Sequence, residues 1–117
     1  MSAYLSELRV AESLARAAGR RMRRQRRDGF DVQMKGENDP VTDIDVRTEE
    51  FLTAELSEAF PDDGIIGEEL EETAETSGRR WFIDPIDGTL NFSRGIPMYC
   101  VSIALQEEGE SVVGVIY

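Results

Sequence analysis

The chain has 117 residues, of which 40% are hydrophobic and 32% are charged, and this composition predicts a soluble globular protein of one modest domain. Histidine is absent, which excludes histidine-based acid–base catalysis, Ser-His-Asp triads and histidine-liganded zinc within these 117 residues. A single cysteine, Cys100, excludes a disulfide within the chain and fits a reducing compartment such as the cytoplasm.

Charge is distributed unevenly along the sequence. Residues 1–27 hold eight Arg and two Glu, a net of +6, whereas residues 28–117 hold 22 acidic and five basic residues, a net of −17. No apolar stretch approaches the about 20 residues that a membrane-spanning helix needs. The arginine-rich N-terminus also lacks the apolar segment of a secretory signal. We therefore expect a cytoplasmic protein with no membrane partner.

The first predicted element is a long amphipathic helix over residues 3–27. Its apolar stripe repeats at helical spacing and consists of Tyr4, Leu8, Ala11, Leu14, Ala15, Ala18 and Met22. Six arginines lie in the eight residues from Arg20 to Arg27, a density that raises a nucleic-acid hypothesis. Cations near a helix C-terminus also complement its dipole, and no aromatic residue interleaves with them for base stacking. We expect a solvated helix face and no nucleic-acid partner.

The next segments alternate between short strands and a second helix. We predict a half-buried strand over residues 30–35, a polar loop over 36–40 and a helix over 43–60 that ends at Pro61. Thr42 is a favourable N-cap, and Asp45 fits the acidic position of a capping box three residues later. The inner face of the helix is assigned to Phe51, Leu52, Leu56 and Ala59. A brief apolar strand over 64–67 then leads to Glu68 and Glu69.

The most informative segment runs from Trp81 to Phe92, with the sequence Trp-Phe-Ile-Asp-Pro-Ile-Asp-Gly-Thr-Leu-Asn-Phe. Residues 81–83 read as a buried strand. The strand is expected to leave the sheet at Asp84, because Pro85 fixes the backbone and removes one N–H donor.

This bend can direct several oxygen atoms to one point. The carboxylates of Asp84 and Asp87 and the carbonyl of Ile86 are hard ligands of the kind that Mg²⁺ prefers. Gly88 and Thr89 follow with backbone N–H groups and a hydroxyl, where an anion could bind. An ordinary capped turn is the alternative interpretation of the two aspartates alone.

Two more strands are predicted near the end of the sequence. They cover residues 98–106 and 112–117 and are joined by a hairpin turn that contains Gly109. Cys100 lies in the first of these strands and is interpreted as a buried structural thiol. Helices followed by strands with helical interruptions indicate a layered α/β or α+β arrangement.

The segment from Trp81 to Phe92 resembles the signature of the inositol monophosphatase family, W-x-x-D-P-[IL]-D-G-T-x-N-F, and matches it completely. Two upstream elements follow the order of that family, one at residues 39–45 and the other at residues 65–69. The resemblance covers nearly all of residues 1–117 but only the N-terminal portion of such a domain, since family members are considerably longer. It implies the first part of an α-β-α-β-α sandwich, with long N-terminal helices and a largely antiparallel sheet.

The resemblance also implies a Mg²⁺-dependent phosphate monoesterase with two or three ions, for which Mn²⁺ could substitute. The implied metal ligands are Glu68, Asp84, the carbonyl of Ile86, and Asp87. The implied substrate-binding residues are Glu68, Ile86, Asp87, Gly88 and Thr89. Asp45 and Thr89 would orient the attacking water, and Glu69 would assist from outside the ligand set or, alternatively, be a solvated loop side chain.

Lys35 is the only lysine among the 13 basic residues of the sequence. A compact ammonium beside clustered carboxylates would offset their mutual repulsion. The family pattern also has a lysine here, so the resemblance implies a supporting role near the site.

Several functions remain open from the sequence. The implied substrate is inositol monophosphate or a similar small polyol or sugar phosphate, while fructose-1,6-bisphosphatase and histidinol phosphatase activity are alternatives. Residues 90–92 favour the inositol branch over the 3′(2′),5′-bisphosphate nucleotidases. A catalytically inactive metal-binding fragment is a further hypothesis, because the family has another metal-binding Asp and its specificity residues in a C-terminal half that these 117 residues do not include. The resemblance also implies inhibition by Li⁺ and a homodimer.

Overall fold

The structure is a computed structural model that describes residues 3–29, 32–36 and 39–117, and only the backbone of residues 32, 33, 35, 36 and 39–41. The described elements, in chain order, are α1 (Leu5–Asp28), β1 (Val32–Gly36), β2 (Asp39–Thr42), α2 (Asp43–Ala59), β3 (Gly64–Ile66), β4 (Arg79–Asp87), α3 (Thr89–Ser93), β5 (Cys100–Glu107) and β6 (Glu110–Ile116). Two long helices precede a mostly antiparallel sheet, which confirms the predicted fold class.

The four-stranded sheet has the order β3-β4-β5-β6. Strand β3 runs parallel to β4, whereas β4, β5 and β6 form an antiparallel meander. A separate two-stranded sheet pairs β1 with β2 antiparallel. The polar loop predicted over residues 36–40 is therefore wrong in its second part, because β2 begins at Asp39 and its pairing with β1 supplies the backbone hydrogen bonds.

The hydrophobic core lies between the two long helices and the four-stranded sheet. Strands β4 and β5 alternate buried and more exposed residues, with Trp81 and Ile83 on the inner side of β4. From α1 the core receives Ala11, Leu14, Ala15, Ala18 and Met22. These residues confirm most of the predicted stripe, whereas Leu8 is 39% exposed and Ala59 of α2 is also exposed, so both assignments are wrong.

Buried polar side chains connect α1 to the sheet at the start of β4. Arg79 Nη1 lies 2.9 Å from Glu7 Oε2, and Arg79 Nη2 lies 3.0 Å from Asp63 Oδ2. The indole N–H of Trp81 donates to the same Asp63 oxygen at 3.0 Å. The apolar stripe of α1 therefore has a buried acid at one end, which the helical periodicity of apolar residues did not predict.

No helix in the described part of the chain combines the length and the apolar character needed to cross a membrane.

Candidate functional site

Strand β4 continues through the signature segment instead of leaving the sheet at Asp84. Asp84 lies opposite Ser102 of β5 and Asp87 lies opposite Cys100, so three steps along β4 face two steps along β5. This irregularity is a bulge, which redirects side chains while keeping the strand in the sheet. Pro85 lies inside the bulge, a place where a missing backbone donor is tolerated. The predicted end of the strand was wrong, but the predicted change of direction is present as a bulge.

Gly88 makes the transition from β4 to α3 in one residue. Its φ of 93° is in the left-handed region, and an added Cβ would lie 2.8 Å from the carbonyl oxygen of Met98. Glycine is therefore required here both for the backbone conformation and for the close approach of the neighbouring chain.

We predict that Gly88→Ala lowers the free energy of unfolding by about 2 kcal/mol, since left-handed strain and steric overlap act together. Urea unfolding of three variants would check this. Gly109→Ala shares the positive φ of 80° but has open space around its Cβ, and Gly114→Ala has open space without the positive φ. The expected order of destabilisation is Gly88, then Gly109, then Gly114, and an equal loss at Gly88 and Gly109 would show that the Met98 contact contributes nothing.

Thr89 and Asp45 meet although 44 residues separate them. The hydroxyl oxygen of Thr89 lies 2.9 Å from Asp45 Oδ1 and also 2.9 Å from the carbonyl oxygen of Ile86. A threonine hydroxyl carries one proton, so it donates to one of these acceptors at a time. The structure therefore brings together the two residues that were predicted to orient a water molecule.

The other oxygen of Asp45 is fixed by the start of α2. Asp45 Oδ2 accepts the backbone N–H of Thr42 at 2.8 Å and its hydroxyl at 2.5 Å, and the Thr42 hydroxyl accepts the N–H of Asp45. This is the predicted capping box, and Asp45 is 3% exposed within it. The predicted capping role of Asp45 is therefore present, and its other oxygen is directed at Thr89, while its role in orienting water stays a prediction.

Asp84 lies among other acidic side chains. Burial and, to a smaller extent, the negative charges of Glu68, Asp87 and Asp45 together raise its pKa from 3.8 to about 6. A hydrogen bond with the backbone of Ile86 opposes this rise. A half-buried carboxylate that is repelled by its neighbours is unfavourable by itself, and a bound cation would relieve the repulsion.

The donor atoms of this cluster fit a hard divalent cation in their chemistry. The four predicted metal ligands offer oxygen atoms only, a set that suits Mg²⁺ or Mn²⁺ better than zinc. Among the described residues, no group of three acidic or cysteine side chains lies close enough together to coordinate one metal ion. Mg²⁺ commonly binds one or two carboxylates and keeps several of its water ligands. The acidic side chains around Asp84 therefore fit the ion without three protein side chains in ligand positions.

Glu68 and Glu69 follow β3 on a short loop. Glu68 is exposed and Glu69 is half-buried. The backbone N–H groups of Glu68, Glu69 and Leu70 all donate to the carboxylate of Glu49, a residue that sequence reasoning missed. Its position four residues after Asp45 places it on the same face of α2, and that spacing was the available signal.

This chain is similar to known proteins of one family. The sequence model described as the inositol monophosphatase family matches residues 5–117. This chain belongs to the inositol monophosphatase family. The resemblance predicted from the three sequence elements is confirmed.

Three relatives of this inositol monophosphatase family member illustrate the likeness. A histidinol-phosphatase from Chlorobaculum parvum is 44% identical over 94% of this chain and 43% of its own length. An inositol-1-monophosphatase from Mesorhizobium japonicum is 42% identical over 94% of this chain and 42% of its own length. The crystal structure of extragenic suppressor protein SuhB from Bartonella henselae has a TM-score of 0.91 at 41% identity, covering 96% of this chain and 45% of that one. The chain thus spans less than half the length of these relatives.

Two predicted features of this family member have different outcomes. The side chain of Lys35 lies outside the described residues, so its supporting role stays a prediction. Cys100 is half-buried, not buried, and its sulfur lies 4.0 Å from Asp87 Oδ2. Burial, with the charges of Asp87 and Asp84, raises the pKa of the Cys100 thiol, which keeps it protonated and unreactive at neutral pH.

The six arginines between Arg20 and Arg27 divide into two groups. Arg21 packs over the Phe51 ring at 4.4 Å, and Arg26 packs over Phe92 at 5.1 Å while donating to the Tyr99 hydroxyl at 3.2 Å. These two contribute packing, so the prediction of a fully solvated face is wrong for them. The remaining exposed members line a surface depression of about 420 Å³ and are Arg20, Arg23, Arg24 and Arg27.

Proposed function

We propose that this chain carries the metal-binding and water-orienting part of a phosphate monoester hydrolase. The observation that carries the proposal is the hydrogen bond between Thr89 and Asp45 beside the acidic cluster around Asp84. Hydrolysis of a phosphate monoester requires positive charge to balance the anion and a positioned water molecule to attack it. The acidic cluster would bind the metal ions that carry the positive charge. The Thr89–Asp45 pair would accept the hydrogen bond that positions the attacking water.

The proposed ligands of Mg²⁺ are Glu68, Asp84, the carbonyl of Ile86, and Asp87. The bound ions, two or three in number and replaceable by Mn²⁺, would supply charge neutralisation and lower the pKa of a coordinated water. Glu69 would act from outside the ligand set, and its half-buried position agrees with that role.

The proton follows the hydrogen bonds of Thr89. When its hydroxyl donates to Asp45 Oδ1, the hydroxyl oxygen can take up a proton from a nearby water while its own proton passes to Asp45 Oδ1. Asp45 Oδ2 is already engaged by Thr42, so Oδ1 keeps a fixed direction towards Thr89. The phosphate would lie against the backbone N–H groups of Gly88 and Thr89, next to the side of the site formed by Glu68, Ile86 and Asp87.

The proposed substrate is inositol monophosphate or another small polyol or sugar phosphate. Relatives of almost equal similarity are named histidinol-phosphatase and inositol-1-monophosphatase, so likeness alone does not choose between these substrates. Phosphate release from inositol 1-phosphate, histidinol phosphate and fructose 1,6-bisphosphate, measured side by side, would rank them. Inhibition by Li⁺ and assembly as a homodimer remain predictions that the same preparation could test.

A second candidate is a metal-binding chain without catalysis. This candidate needs only the acidic side chains around Asp84 to hold an ion, and no positioned water molecule. Binding of Mg²⁺ by calorimetry without phosphate release would support it. Phosphate release that depends on Mg²⁺ would support the hydrolase.

For the hydrolase, we predict that Thr89→Ala lowers kcat by about 100-fold or more, because water loses its positioned acceptor. Thr89→Ser keeps the hydroxyl and should retain most of the rate. The two variants are compared at saturating Mg²⁺ and substrate. Equal rates for Thr89→Ala and the unaltered chain would remove Thr89 from the mechanism.

A further inference from the structure

We propose that Glu49 is a positioning residue that holds the loop carrying Glu68 and Glu69 at the metal site. This inference rests on the proposed function, because it assigns Glu49 a role towards the ion that Glu68 would bind. Glu49 would not touch the ion or the substrate itself.

Within the described residues, the hydrogen bonds of the Glu49 carboxylate are all directed at that loop. Oε1 accepts the N–H groups of Glu68 at 2.8 Å and Glu69 at 2.9 Å, and Oε2 accepts the N–H of Leu70 at 2.6 Å. Hydrogen bonds to an ionised carboxylate are shorter and stronger than neutral ones. Three consecutive amides fix the backbone direction of the segment, and with it the point from which the Glu68 side chain extends.

The burial of the Glu49 carboxylate makes the loss of its hydrogen bonds energetically unfavourable. Glu49 is 1% exposed, and none of the ion pairs among the described residues includes it. A buried carboxylate without compensation is strongly unfavourable, so the three amide donors are what makes its burial tolerable. The loop and the carboxylate therefore stabilise each other.

Gly67 permits the close approach of the loop to Glu49. A Cβ at this position would lie 2.4 Å from the carboxyl carbon of Glu49 and 2.6 Å from each of its oxygens. Any other residue would force the loop and the carboxylate apart. The glycine before Glu68 is thus explained by Glu49, which lies 18 positions earlier in the sequence.

Helix α2 joins the two halves of the candidate site through one turn. Asp45 is directed at Thr89 and Glu49 at the loop of Glu68, and residues four apart lie about 5–6 Å from each other on one helix face. The loop also closes on itself, because Ile65 and Thr73 exchange both backbone hydrogen bonds, at 2.9 and 3.2 Å. A rigid turn of α2 therefore sets the spacing between the metal-binding loop and the water-orienting pair.

The test compares Glu49→Gln with Glu50→Gln, which removes the same charge from an exposed neighbour on the same helix. Glutamine keeps the shape of Glu49 but directs its NH₂ group at an amide donor, so at least one hydrogen bond is lost. Two quantities are measured: the dissociation constant of Mg²⁺ by calorimetry, and hydrogen exchange at the amides of residues 68–70. We expect Glu49→Gln to weaken Mg²⁺ binding about tenfold or more and to remove the protection of at least one of these amides. Glu50→Gln should change neither.

A second variant guards against misfolding of Glu49→Gln. Gly67→Ala disturbs the same contact from the loop side and leaves every charge in place, so it should weaken Mg²⁺ binding and amide protection in the same way. Circular dichroism would check that each variant is folded. Amides of residues 68–70 that exchange freely in the unaltered chain would overturn the proposal without any variant.

The remaining outcomes separate this inference from the proposed function. If the unaltered chain binds no Mg²⁺, the proposed metal site fails and the role of Glu49 fails with it. If the unaltered chain binds Mg²⁺ and Glu49→Gln binds it equally well, the role of Glu49 alone is overturned. Weaker Mg²⁺ binding with unchanged amide protection also contradicts the proposal, because the effect would then not pass through the loop.

Discussion

Replacing Arg79 with alanine is expected to lower the free energy of unfolding of this chain by about 3 kcal/mol, because the substitution leaves two buried carboxylates without their cation. The side chain of Arg79 is 18% exposed, and those of its partners Glu7 and Asp63 are 10% and 5% exposed. Removing one member of such a group is costly because the remaining charges stay buried and uncompensated.

The ion group of Arg79 connects three parts of the fold. Glu7 belongs to α1, Asp63 precedes β3, and Arg79 begins β4. Hydrogen bonds from Ser6 and Arg79 lower the pKa of Glu7 in spite of its burial. A lowered folded-state pKa means that the stabilisation is present above the unfolded pKa and is lost as pH falls through the folded value. The network should therefore weaken in acid.

Urea unfolding at neutral pH checks the Arg79 prediction, with Arg80→Ala as the matched control. Arg80 is the next residue on the same strand, but its side chain is 47% exposed and its pairing with Glu75 spans 3.4 Å. Exposed pairs of this kind contribute little, so the control should lose less than about 1 kcal/mol. Similar losses for the two variants would show that the buried ion group gives no net stabilisation.

Periodic and motif-bearing segments were predictable from the sequence. Helix α1 was predicted over residues 3–27 and spans Leu5–Asp28, because a long apolar stripe at helical spacing specifies one structure. The capping box of Thr42 and Asp45 was predicted for a similar reason, since both partners lie within three residues of each other. A local sequence pattern is enough to predict a structural feature when all the residues that form the feature are close in sequence.

The features that were missed depend on distant partners. Strand β2 begins with Asp39 and Pro40, two residue types that disfavour strands, and its strand conformation is set by pairing with β1. The bulge in β4 is defined only against the register of β5. Glu49 was overlooked because helical periodicity was assessed on apolar residues, whereas the inner face of α2 also buries polar side chains that serve the site.

Asp84→Asn is expected to have two opposite effects on stability. In the absence of divalent ions it should stabilise the chain, since it removes a carboxylate that its neighbours repel. The expected gain is only roughly 1 kcal/mol, because solvent screening weakens that repulsion. In the presence of Mg²⁺ the unaltered chain should gain about 2.7 kcal/mol at a concentration 100 times the dissociation constant. The variant should lose most of that gain, because Asp84 is a proposed ligand.

The pH dependence gives an independent check on the same charge. Because the folded-state pKa of Asp84 is raised to about 6, its stabilising contribution is present below the unfolded pKa of 3.8 and is lost as pH rises through about 6. The stability difference between Asp84→Asn and the unaltered metal-free chain should therefore grow from pH 4 to pH 7, as measured by thermal unfolding. Asp62→Asn, at an exposed position, is the control and should show no such trend. Lower stability of metal-free Asp84→Asn than of the unaltered metal-free chain would contradict the repulsion between Asp84 and its acidic neighbours. An equal gain in stability from Mg²⁺ for the variant and the unaltered chain would contradict the metal-binding role of Asp84. Both effects have one cause, because the carboxylates crowd together around β4.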